Sequence, residues 1–142
     1  MALNRKAGHE YFLEKRIEAG IKLTGSEVKS LREGRMSIAE SYAMIKGGNL
    51  WLIGAHIPEY LPAGQANHDP KRDRKLLVHK RQLEELAGEL SSKGRTLIPT
   101  KCYFSHGLAK VEIAVAQGKK KYDKREEIKK KDARREMRRF AR

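Results

Sequence analysis

His68-Asp69 places an imidazole beside a carboxylate, the arrangement in which an acid can orient a general base. Pro70 follows, so an Asx-type turn is the plainer account of Asp69. His9, His79 and His106 do not have the spacing of zinc ligands, and one cysteine supplies neither a disulfide nor a cysteine-rich zinc site. Cys102 lies in a β-like run beside Tyr103 and Phe104 and reads as a small buried hydrophobe. The chain has no phosphate-cradling glycine loop, GxSxG elbow or HExxH helix. These residues assign no catalytic group, metal ligand or cofactor site.

The remaining chemistry is cationic and aromatic. Asn4-Arg5-Lys6, His9 and Tyr11 combine positive charge with rings that can stack on unpaired bases. Lys71-Arg72-Asp73-Arg74-Lys75 is a second basic cluster, and Lys119-Lys120-Lys121 a third. The net charge of +14 and pI near 10.0 point to a polyanionic partner, with RNA preferred. Residues 118–142 contain 13 Lys/Arg against 5 Asp/Glu, a net +8, which leaves +6 on residues 1–117. The composition changes abruptly at Gly118. One domain is expected over 1–117 and a basic tail over 118–142. No apolar run approaches the roughly 20 residues of a membrane span, and MALNRKAGHEYF lacks the apolar segment of a signal peptide, so no membrane partner and a cytoplasmic location are expected.

The elements that must position these groups are mostly strands. From Tyr11 to Leu23 apolar residues fall mainly on odd positions, the period of a half-buried strand, with the basic-aromatic cluster at its start. Thr24-Gly-Ser-Glu27 fits a capping box ahead of a helix over Val28–Glu33. Ser41–Lys46 and Leu50–Ile57 flank Gly47-Gly48-Asn49 as a hairpin, and 58–75, with three prolines, reads as a long loop. Leu76-Leu77-Val78 precedes a helix marked by Leu83, Leu86, Ala87 and Leu90, which ends at Lys93-Gly94. Thr96–Phe104 and Leu108–Ala116 form a last hairpin around His106-Gly107, with an edge or bulge at Pro99. Five or six antiparallel strands and two short helices suit a partly open Greek-key barrel of the oligonucleotide-binding type.

Charge pairs are spaced for a helix in the tail: Glu126 with Lys129 and Lys130, Glu127 with Lys130 and Lys131, Glu136 with Arg139. Ala133, Met137, Phe140 and Ala141 share one face, though Ile128 falls opposite and breaks the stripe. Such pairs contribute only about 0.2–0.5 kcal/mol each. The tail is therefore expected to be disordered alone and helical on an anionic partner, where 124–141 would span roughly 27 Å.

Four blocks, NRKAGHEYFLE, EAGIKLTGSEVKSLREG, NHDPKRDRKLLVHKRQL and GKKKYDKREEIKKKDARRE, closely resemble the small protein B (SmpB) family, from Asn4 to about Glu136. The resemblance implies a bacterial ribosome-rescue factor of trans-translation and not an enzyme. Its barrel would bind the tRNA-like domain of transfer-messenger RNA, and elongation factor Tu with GTP would accompany the complex through the RNA. The ribosomal partners would be 16S rRNA, the decoding centre and the empty mRNA channel. By position, the resemblance makes Glu18, Leu77 and His79 RNA contacts, beside Arg5, His9 and Tyr11, with Lys119 and Lys120 added. Gly118, Tyr122, Asp123, Lys124 and Arg125 match the segment that the family carries near the decoding centre, and Met137 and Phe140 would offer a further apolar edge there. Gln117 is neutral where a basic residue commonly precedes GKK, and Val78 replaces a usual leucine. Two rival readings are a structural ribosomal RNA-binding protein, which would copurify with every subunit, and an RNA-processing enzyme, which would need His68 or Asp69.

Overall fold

The computed structural model of the chain describes residues 2–91 and 94–118. Seven strands and three α-helices follow one another as β1 (Ala2–Leu3), α1 (Ala7–Glu10), β2 (Tyr11–Ile21), α2 (Gly25–Arg32), β3 (Tyr42–Lys46), β4 (Asn49–Ile53), β5 (Arg74–Leu77), α3 (Lys80–Leu90), β6 (Arg95–Ser105) and β7 (Leu108–Gly118). All strand pairs are antiparallel. The order β6-β3-β4-β5-β2-β7 returns to β6, so six strands close into a barrel and β1 adds to the outside of β6. The expected partial opening survives as two narrow seams: β3 meets β6 only at Ala43 and Leu97, and β2 meets β5 only through Gly20–Leu77 and Ile21–Leu76.

Alternation along the strands fills the barrel. Leu50 and Leu52, Leu76, Leu97, and Val111, Ile113 and Val115 point inward, while Leu31 of α2 and Leu86 of α3 pack on the same core. Cys102 is fully buried among them, and burial pushes its thiol up to about 11. Gly47 and Gly48 supply the positive φ angles of the β3–β4 turn. The bulge expected at Pro99 appears as a register shift between Pro99 and Lys101.

Several boundaries differ from the expected ones. Asn4–Tyr11 does not simply begin the first strand: β1 and α1 intervene, because Ala7 packs with Ile98 and Ala116 in a second small core outside the barrel. α2 begins at Gly25, since the capping-box residue Thr24 is its N-cap. β4 stops at Ile53, although Ala55 and Ile57 beyond it are still buried. The segment after Ile57 contains a 3₁₀ turn over Leu61–Ala66, and β5 starts at Arg74.

Candidate RNA-binding surface

β2 runs from one end of the barrel to the other, and the expected RNA contacts separate along it. Near its C-terminal end the outward-facing Glu18 and Gly20 lie opposite Glu112 and Lys110 of β7. Gly20 also opposes Leu77 across the β2–β5 seam, where a Cβ would meet Leu77 Cβ at 3.4 Å. Beside this seam a depression of about 450 Å³ opens between Glu18, Leu77, Val78, His79, Gln82 and Lys110. Leu77 is 53% exposed because its neighbour Leu76 takes the inward position of the alternating strand. His79 is the N-cap of α3, held by its backbone N–H donating to Gln82 Oε1 at 3.1 Å. Glu18, Leu77 and His79 are thus brought together from β2, β5 and the start of α3.

Sequence reasoning missed Tyr103, Gln82 and Lys110. Tyr103 donates its hydroxyl hydrogen bond to Glu18 Oε2, and that bond pushes the phenol up to about 12. Its ring also lies 5.5 Å from the Lys101 ammonium. Alternation with the buried Cys102 and Val111 marks Tyr103 and Lys110 as outward-facing. Only the β6–β7–β2 register brings them to Glu18. Beside them, Glu112 accepts from Thr100 Oγ1 at 2.9 Å and pairs with Arg16 at 3.2 Å and Lys101 at 3.5 Å.

Arg5, His9 and Tyr11 are placed elsewhere. Tyr11 pairs with Gly118 at the far end of β2, about 23 Å from Glu18 at the rise of an extended strand. It lines a smaller hollow of about 240 Å³ with Asn4, Lys6, Glu10, Glu40 and Tyr42 among its walls. Arg5 and His9 are exposed on the turn and α1 just before it. This cluster therefore sits beside the end of β7 and forms a second patch. Gly118 ends β7 there; Lys119, Lys120, Tyr122, Asp123, Lys124, Arg125, Met137 and Phe140 lie outside the described residues.

The basic segment 71–75 needs a larger correction. Arg74 is fully buried, and its Nε donates to Glu27 Oε2 at 2.5 Å. Arg72 hydrogen-bonds the other oxygen of the same carboxylate through Nε and Nη2. Burial alone would raise the Glu27 carboxyl, but donors from Arg72, the Thr24 backbone and Arg74 outweigh it and hold the pKa below its ordinary value. Arg74 also ties down the carbonyls of Ala55, Arg72 and Pro70. Both arginines anchor the 54–73 segment to α2 and leave only Lys71 and Lys75 of the cluster for a ligand.

His68 is equally committed to the scaffold. Its Nδ1 is 2.9 Å from Ser26 Oγ and its Nε2 is 2.8 Å from the Ile57 carbonyl. Asp69 makes the expected Asx turn, accepting the Lys71 N–H at 3.0 Å. Among the described residues no three His, Cys, Asp or Glu side chains converge as metal ligands. No helix among them is long and apolar enough to cross a membrane.

Comparisons with known proteins agree with this architecture. The family model described as SmpB protein matches residues 1–142. An SsrA-binding protein of Bradyrhizobium diazoefficiens is 57% identical, over 100% of this chain and 91% of the relative. One from Desulfitobacterium hafniense is 50% identical, over 98% of this chain and 89% of that protein. A chain of a solved structure described as "tmRNA-SmpB: a journey to the center of the bacterial ribosome" superposes with a TM-score of 0.71 at 43% identity, covering 89% of this chain and 92% of the other. With a six-stranded barrel, a polar depression on its outer wall and a matching model along its whole length, the chain belongs to the SmpB family.

Proposed function

We propose that this chain is an RNA-binding factor of ribosome rescue, acting in the cytoplasm. The barrel, residues 1–117, holds the tRNA-like domain of transfer-messenger RNA against the depression formed by Glu18, Leu77 and His79. The observation that carries this reading is the convergence of those three residues, which are separated in sequence by up to 61 positions, in one open hollow. Its chemistry suits an unpaired ribonucleotide: an apolar wall in Leu77, an acceptor in Glu18 and a cation in Lys110. No covalent step is needed, and His68 and Asp69 are already engaged in holding loops. Elongation factor Tu with GTP would reach the complex through the RNA.

The second patch, Arg5, His9 and Tyr11, lies where the chain leaves the barrel at Gly118. In this reading the tail, 118–142, enters the decoding centre and the vacant mRNA channel, with Lys119, Lys120, Lys124 and Arg125 meeting rRNA phosphates, Asp123 fixing the exit direction and Tyr122 stacking on a base. Met137 and Phe140 contribute an apolar edge once the backbone is helical.

Two assays on the full chain separate these roles: equilibrium binding of labelled tRNA-like-domain RNA, and peptide tagging on a reconstituted stalled ribosome. Glu18→Ala and Leu77→Ala should weaken RNA binding. Ala133→Pro, at a cost of about 3 kcal/mol in a helix interior, should leave RNA binding intact and stop tagging. Wild-type RNA affinity in both barrel variants would refute the surface, and normal tagging by the proline variant would refute a helical tail.

A further inference from the structure

Glu18 carries negative charge on a surface meant for a polyanion, so attraction to phosphate is not its role. Its two oxygens are not equivalent. Oε2 accepts the Tyr103 hydroxyl, whereas Oε1 has no partner among the described residues. The tyrosine reaches it diagonally: Tyr103 stands opposite Lys110 on β7, and Glu18 stands opposite Glu112 on the other side of the same strand. Spanning the middle strand covers two inter-strand spacings, roughly 9.6 Å, which only a long rigid side chain does while keeping its polar tip aligned. Lys101 over the ring restrains it further.

We propose that Tyr103 is a positioning residue: it clamps Glu18 by one oxygen so that the other is presented as a single oriented acceptor for an N–H or O–H donor of RNA. The inference rests on the reading of the Glu18 depression as an RNA surface. Its ligand class is a base amino or imino edge, or a ribose 2′-hydroxyl, because these donate to a carboxylate and a phosphate oxygen does not. Lys110, which lines the same depression and has no ion pair among the described residues, is the group for the adjoining phosphate. With its ionisation pushed up to about 12, the phenol stays a donor throughout the neutral range. An exposed glutamate would otherwise sample several rotamers, and the RNA would have to order it on binding.

The test uses the full chain, labelled tRNA-like-domain RNA and the variants Tyr103→Phe, Glu18→Ala, the double variant and Lys110→Gln. Removing one hydrogen-bond donor should make Tyr103→Phe bind about fivefold more weakly. Glu18→Ala should lose at least as much, and the double variant should bind like Glu18→Ala, because the tyrosine acts only through the carboxylate. The salt dependence separates donor from phosphate contacts: Tyr103→Phe and Glu18→Ala should keep the wild-type slope of log K against log salt. Lys110→Gln should lower that slope by about one. A probe with 2′-deoxy sugars that no longer feels Glu18→Ala assigns the donor to ribose, and one that still feels it assigns the donor to a base edge; either agrees with the clamp. Tyr103→Phe binding as wild type beside a defective Glu18→Ala overturns the clamp while leaving the surface intact, as do additive losses in the double variant. A Glu18→Ala variant with wild-type affinity overturns both.

Discussion

Glu27 and Glu18 stand nine residues apart, one on α2 and one on β2, and each has its carboxylate held by side chains distant in sequence. Their surroundings differ completely. Glu27 is 0% exposed and shared between two arginines, while Glu18 is exposed and held by one phenol. In a low-dielectric interior an unpaired charge is intolerable, so the Glu27 pair is architecture and removing one partner strands the other. On the surface water screens the charge, and a carboxylate with one oxygen left over is available to a ligand. In a chain with 32 Lys/Arg and 18 Asp/Glu, burial decides which charged side chains build the fold and which stay available to a partner.

The sharpest way to break this contrast is Glu27→Ala. It leaves Arg74 buried without its counter-charge and should destabilise the protein by about 3–5 kcal/mol in chemical denaturation. RNA affinity per folded molecule should stay unchanged. Stability that survives Glu27→Ala would mean that the carbonyls around Arg74 suffice to hold it. Acid should reveal the same group. Because the folded pKa of Glu27 lies below its ordinary value of 4.5, its contribution is complete above that value and is lost as pH falls through the folded pKa. The wild type should therefore lose stability steeply below about pH 4.5, and Glu27→Gln should flatten that part of the curve.

A smaller effect is expected at Glu18. Its replacement by alanine should cost about tenfold or more in RNA affinity, in line with roughly 1.5 kcal/mol for a hydrogen bond to a charged group. The denaturation midpoint should not move measurably. A destabilised Glu18→Ala protein would make it a second Glu27 and erase the distinction. The smallest effect should come from the exposed Lys6–Glu40 pair, 2.7 Å apart with both side chains more than half exposed. Lys6→Ala should leave thermal stability within measurement error, since solvent screens such pairs. A clear loss there would show that the patch beside Gly118 is stiffer than its exposure implies.

Local physics was readable from the residues alone. Alternation set β2 and the last hairpin, Gly47-Gly48 and His106-Gly107 marked the turns, and Thr24 with Glu27 announced the start of α2. Such signals act over two to four residues, where backbone sterics and side-chain reach do not depend on the rest of the molecule. Closure of the barrel decided everything that links distant residues. It placed Leu77 and His79 beside Glu18, added Tyr103 and Lys110, and moved Tyr11 to the opposite end of the strand. It also took Arg72 and Arg74 out of the basic surface, though their charges look the same in sequence as those of Lys71 and Lys75. A charge in the sequence is only a formal count; its free energy depends on the dielectric and the partners around it, and both exist only once the strands have paired.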